Sequence, residues 1–297
     1  MELFRALAVL VEPPGDAVAR VAEALELGPL PSRDEYTELF VFQLYPYASV
    51  YLGVEGMLGG EARDRISGFW RALSPETPPA EADHLSVMLA LYARLCELAA
   101  DESERRGRQD WERARKAFLW EHLLSWLPAY LGKVAETGST FYRRWSEVLM
   151  KALLAEAEAV GQPAVLPLHL RAAKGLVDPR AGGEVEEFLQ SLLAPVRSGL
   201  ILTRSDLSRA ARGLNLGMRL GERAFILRAL FGQNAARVLD WLAQEATAWT
   251  KQHRLYRDAL GETARAWEEK AQAAASLLQE LNREADDRAR VGGHEKG

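Results

Sequence analysis

Asp83-His84-Leu85-Ser86-Val87-Met88-Leu89-Ala90-Leu91-Tyr92-Ala93-Arg94-Leu95 decides how this chain folds. Its large apolar side chains fall at 85, 88, 89, 92 and 95, steps of three and four residues that share one face of an α-helix. The period-two alternation that a half-buried strand needs is nearly absent. The helical spacing recurs at Leu119, Leu123, Trp126, Leu127 and Tyr130, and again at Phe141, Trp145, Val148, Leu149 and Ala152. Val185, Phe188, Leu189 and Leu192 form a further stripe, as do Ala235, Val238, Leu239, Leu242 and Trp249. Amphipathic helices each need a partner surface. The expectation is an all-α, globular multi-helix bundle.

Breaks fall where helix chemistry wants them. Pro13-Pro14-Gly15 ends the first helix and Gly28-Pro29-Leu30-Pro31 the second. Ser74–Pro79, Gln162–Pro167 and Asp178–Gly183 read as irregular connectors. Pro195 and Ser198-Gly199 coincide with a shift in charge, so residues 1–197 read as one helical domain and 198–297 as a helical extension. The extension ends in a helix with a heptad pattern: Leu260, Ala264, Trp267, Ala271, Ala274, Leu278, Leu281 and Ala285 alternate steps of four and three. Such a seam packs against its own chain or a second copy, which leaves a homodimer open. Beyond Asp286 the composition reads as a frayed, disordered tail.

The 297 residues carry a net charge of −5, against a protein built mainly to coat nucleic acid. The charge is uneven. Residues 1–100 hold seven bases and fifteen acids, whereas residues 201–297 hold sixteen and thirteen. A single cysteine, Cys96, excludes an internal disulfide framework and a Cys-rich metal cluster, and the five histidines lack ligand spacing. The longest uncharged stretch, Leu39–Val54, has sixteen residues, short of the roughly 20 that cross a bilayer, and the start of the chain does not read as a leader. A cytoplasmic protein without stable membrane insertion is expected. No phosphate loop, dinucleotide fingerprint or nucleophile elbow occurs, so neither catalysis nor a cofactor or metal is expected.

Three clusters stand out as candidate binding surface. Asp83 and His84 open a mostly apolar helical face, where they can exchange hydrogen bonds with an extended peptide. His122-Leu-Leu-Ser-Trp126-Leu-Pro128 with Phe141-Tyr142 is dense in apolar and aromatic residues, and Leu39–Tyr51 gathers three tyrosines around Pro46. Phe40 and Phe42 read as core. A rival reading is a DNA-binding regulator using a helix-turn-helix-like segment, residues 203–231. Residues 201–230 carry six arginines against Asp206 and Glu222.

The order of these landmarks resembles the TorD/DmsD/NarJ family of redox-enzyme maturation chaperones. Phe4–Pro14, Leu58-Gly-Gly60 with Phe69-Trp70, Ala82-Asp83-His84-Leu85, Glu121–Pro128 and Phe141-Tyr142 carry the resemblance, over roughly residues 1–195. Where family members often place Glu-Pro ahead of the Asp-His, this chain has Ala80-Glu81. The resemblance implies an all-α chaperone of a molybdopterin-containing reductase of the dimethyl-sulfoxide-reductase type. Its partners would be the catalytic subunit and that subunit's N-terminal twin-arginine signal peptide. A receptor for such a signal needs acids beside an apolar groove. The expected client-binding residues are Asp83 and His84 as polar anchors, with Tyr47, Trp70, Trp126 and Tyr142 as apolar walls.

Overall fold

The computed structural model describes residues 2–73, 77–182 and 184–294, with side chains to Ala285. In chain order the helices are α1 (Glu2–Val9), α2 (Asp16–Ala24), α3 (Arg33–Tyr36), α4 (Ala48–Leu52), α5 (Gly60–Leu73), α6 (Leu85–Asp101), α7 (Arg105–Phe118), α8 (Leu127–Thr137) and α9 (Thr140–Val160). They continue as α10 (Leu168–Ala172), α11 (Val185–Leu193), α12 (Pro195–Ser198), α13 (Arg204–Gly213), α14 (Arg223–Gln233), α15 (Ala235–Arg254), α16 (Arg257–Leu260) and α17 (Glu262–His294). The described residues form no strand; an isolated antiparallel bridge pairs Tyr47 with His84.

The chain divides into two compact units, residues 1–53, 57–172 and 256–263, and residues 54–56, 173–255 and 264–297. In the first unit α6 is the central rod. Leu85, Met88, Leu89, Leu91, Tyr92, Leu95 and Cys96 are all buried, on more than one face, because α6 packs against α1 and α7. Each large apolar side chain fully buried in this way contributes roughly 1.5–3 kcal/mol. The Phe4 ring of α1 meets Tyr92 edge-on at 5.0 Å. Helix α9 pairs with α8 and is tied to α1 by Trp145, whose Nε1 donates to the Leu7 carbonyl at 3.1 Å.

Two wide π-helical turns interrupt this unit, at Thr37–Gln43 and Leu119–Leu123. Their closing bonds run over five residues, from Leu44 N to Leu39 O at 2.7 Å and from Leu124 N to Leu119 O at 2.8 Å. The extra residue shifts the helical register. Phe40 stays in the core, whereas Phe42, expected beside it, is 46% exposed.

The second unit is built on α17. Ala264, Trp267, Ala271, Ala274 and Leu278 are buried, so this part of the seam is covered by the chain itself. Gly199 makes the close approach. Its φ is +74°, and a Cβ there would stand 2.4 Å from Ala271 N. Its carbonyl accepts from His253 Nε2 at 2.8 Å. Pro195 and Gly199 therefore lie inside this unit, and the division falls after residue 172 where the sequence suggested Arg197. Charge balance follows the surface, whereas the division follows packing.

Helices α13 and α14 are separated by residues 214–222, far more than the three or four residues of a helix-turn-helix. Three of the six arginines there are engaged within the chain: Arg209 with Asp206 and Glu245, Arg223 with the Leu202 carbonyl, and Arg228 with Glu186. The segment of the rival DNA-binding reading, residues 203–231, thus holds two helices joined by a longer connector, with ion pairs inside the chain. The connector expected at Ser74–Pro79 lies partly outside the described residues, which omit 74–76, and the loop at Asp178–Gly183 loses Gly183 in the same way. The tail expected beyond Asp286 lies outside the residues whose side chains are described, with backbone helical to His294.

Candidate functional site

The Tyr47–His84 bridge is where two helices begin. Tyr47 (φ −125°, ψ 126°) precedes α4 and His84 (φ −68°, ψ 136°) precedes α6, both extended. Two backbone bonds join them, Ala48 N to Asp83 O at 3.0 Å and Leu85 N to Pro46 O at 2.8 Å. Asp83 and His84 divide the capping between them. The Asp83 carboxylate accepts from Ser49 N, in the first turn of α4, at 3.3 Å. The His84 ring accepts from Ser86 N, in the first turn of α6, at 3.3 Å through Nδ1. Each cap satisfies a helix donor that would otherwise lack a partner.

Both anchors are buried, Asp83 at 2% exposure and His84 at 8%. Burial lowers the His84 pKa, against the opposing pull of Glu12, Glu81 and Asp83, and so favours the neutral ring. The Ser86 hydroxyl contacts Nδ1 at 2.7 Å and donates to Glu12 Oε1 at 2.6 Å. The Tyr47 ring stands edge-on to the imidazole at 4.8 Å. Its phenol is pushed up to about 12 by burial first, and then by Glu81, whose carboxylate it meets. Burial and Glu12 raise Tyr36 as well.

The outer layer of the site joins the expected Tyr47 to three residues that spacing alone missed, Glu12, Tyr36 and Glu81. Glu12 and Glu81 are exposed carboxylates, and Tyr36 and Tyr47 are half-buried aromatics beside them. Glu12 lies 74 positions from Ser86, so no local pattern marks its approach. Asp83 and His84 set the backbone beneath this patch.

The other expected walls are elsewhere. Trp126 and Tyr142 are core residues, at 0% and 1% exposure, and offer no face to a peptide. Trp126 stacks on Tyr51 at 5.1 Å and donates from Nε1 to the His122 carbonyl at 2.8 Å. Tyr142 meets Phe40 edge-on at 4.9 Å. Their aromatic density serves packing, which corrects their reading as walls. Trp70 is half-buried on α5 next to Phe69, whose ring packs on Phe118 and His122 at 5.1 and 5.6 Å, in a different cluster. Of the six expected residues the structure brings together Tyr47, Asp83 and His84. Among the described residues no three His, Cys, Asp or Glu side chains could hold a metal ion, and no helix is long and apolar enough to cross a membrane.

Residues 10–131 match the family model described as nitrate reductase delta subunit, a stretch that contains Glu12, Tyr36, Tyr47, Glu81, Asp83 and His84. The chain is 31% identical over 94 residues to the Chaperone protein TorD of Vibrio vulnificus, in strains YJ016 and CMCP6, covering 31% of this chain and 44% of that protein. It is 29% identical over 139 residues to the Chaperone protein TorD of Shewanella pealeana, covering 42% of this chain and 58% of that one. The chain thus spans about half the length of the curated relatives it matches. No solved structure matches it. The stretch that holds the Tyr47–His84 bridge is thus similar to the nitrate reductase delta subunit family, and the names of the similar chaperones agree with the resemblance to the TorD/DmsD/NarJ family.

Proposed function

We propose that this chain is a cytoplasmic chaperone that binds the apoprotein of a molybdopterin-containing reductase and supports cofactor insertion before export. It acts by binding, without catalysis. The names of the similar TorD proteins support the general role. The observation that carries the detailed reading is the pair of exposed carboxylates, Glu12 and Glu81, that both act on His84 beside half-buried Tyr36 and Tyr47. A twin-arginine signal presents two guanidinium groups next to an apolar segment. A guanidinium takes a carboxylate in two parallel bonds and lies on an aromatic face. Each hydrogen bond to a charged group contributes roughly 1.5–3 kcal/mol when sheltered and about 0–1 kcal/mol when exposed. The peptide also loses freedom as it orders, so affinity is moderate.

Calorimetry with a twin-arginine signal peptide tests this. Glu12→Gln with Glu81→Gln weakens binding at least about tenfold, and replacing the two arginines of the peptide by lysines weakens binding to the unaltered chain. Unchanged affinity in the double variant, with circular dichroism showing an intact fold, removes the carboxylate pair from the proposal.

A further inference from the structure

The π-turn at Thr37–Gln43 turns two large apolar side chains away from the core. Leu39 and Phe40 are buried, whereas Val41 is 42% exposed and Phe42 46%. Single exposed apolar side chains are ordinary, but two in succession on a π-turn, a form that recurs at functional sites, call for a reason. The turn is held in shape: Gln43 Nε2 donates to Glu38 Oε1 at 2.6 Å, and Leu44 N closes the turn on Leu39 O at 2.7 Å. Tyr36 ties it to the patch around His84. The Tyr36 ring meets Phe40 edge-on at 5.4 Å, its phenol feels Glu12, and it acts in turn on the Tyr47 phenol, which meets Glu81. Tyr36 and Val41 are five residues apart, the span of one π-helical bond. Val41 therefore lies one turn on from Tyr36 and close to the same face, roughly 5 Å along the axis.

We propose that Val41 and Phe42 form a shelf for the apolar segment of a client signal whose arginines lie against Glu12 and Glu81. This shelf rests on the function proposed above and adds to it the residues that select the segment. A turn's length is spanned by about two extended residues, so the apolar side chains nearest the arginine pair are the ones that reach Val41. Covering the shelf removes apolar surface from water, and a polar segment leaves it wet. An acidic segment meets like charge from Glu38, exposed one turn before Phe42, as well as from Glu12 and Glu81. The carboxylates therefore hold the arginines of any such signal, whereas the shelf discriminates among the segments beside them.

Val41→Ser with Phe42→Ser changes only exposed side chains, and circular dichroism checks that the fold is kept. The full chain is titrated by calorimetry with two peptides. Each is an arginine pair joined to a segment, leucine–alanine in one and serine–glycine in the other. The unaltered chain is expected to prefer the apolar peptide about tenfold, and the serine pair to bring that preference close to unity. Val41→Ile with Phe42→Leu keeps the shelf apolar and retains the preference. Glu12→Gln with Glu81→Gln weakens both peptides alike and leaves the preference in place. A preference that the serine pair leaves unchanged overturns the shelf and spares the carboxylates' part. No binding of the apolar peptide by the unaltered chain overturns the shelf and the proposed function together. Self-association lost in the serine variant, with the peptide preference unchanged, assigns the two residues to a second copy and also overturns the shelf.

Discussion

Replacing Asp83 by alanine separates a residue that shapes the site from one that touches a client. Asp83 is buried, and its carboxylate caps α4 through Ser49 N at 3.3 Å. Alanine removes that acceptor and leaves the donor inside the protein. A lost N-cap costs about 0.5–2 kcal/mol. A buried donor left unpaired costs about 1–3 kcal/mol, and the two describe largely the same loss. The expected destabilisation is about 1–3 kcal/mol, concentrated at α4 and the Tyr47 segment. Asp83→Asn keeps an acceptor oxygen in place and costs less than about 1 kcal/mol. Because the chain has two units, a single global transition is a poor readout. Hydrogen exchange by mass spectrometry over residues 48–52 localises the effect. Exchange there accelerates in Asp83→Ala and far less in Asp83→Asn, and signal-peptide affinity falls in the same order. If Asp83→Ala left exchange at 48–52 unchanged while abolishing peptide binding, Asp83 would be a contact residue and the capping argument would fail.

Gly199→Ala forces a Cβ against Ala271 at a positive φ. The backbone penalty is about 1–2 kcal/mol and overpacking adds about 1–3 kcal/mol, read as early thermal unfolding of the second unit by Trp249 and Trp267 fluorescence. Burial holds His253 down to about 4 and His122 down to about 3, so the folded chain refuses protons that the unfolded chain binds below its ordinary histidine value. Stability from these groups is complete above pH ~6.5 and is lost as the pH falls toward 4, by about 1–3 kcal/mol for each group. Urea titrations across that range, with His253→Gln flattening the dependence, check the sign. Cys96 is buried and its thiol is pushed up to about 11, so a maleimide at mildly alkaline pH labels it only after denaturation.

Helix positions were legible in the sequence because three- and four-residue spacing is a local property, and α6 carries it throughout. The Asp83-His84 start was also legible as a helix beginning, since Asp and a polar neighbour suit an N-terminus. What spacing could not show is that the two residues cap different helices, because Ser49 is brought to Asp83 by tertiary packing. Glu12 reaches Ser86 across the fold for the same reason. Trp126 and Tyr142 misled because aromatic residues pack a core and line a groove with the same composition. Phe42 misled because a π-turn shifts the helical register without leaving a mark in the residue types around it.

The most direct measurement is capture of this chain from its native host, followed by mass spectrometry of what accompanies it. An immature molybdopterin-containing reductase subunit, with its signal intact and without its molybdenum cofactor, is the result expected. It should be recovered in much smaller amount with the Glu12→Gln/Glu81→Gln chain. Recovery of no such subunit, or of the mature cofactor-loaded enzyme alone, would contradict a role in its maturation.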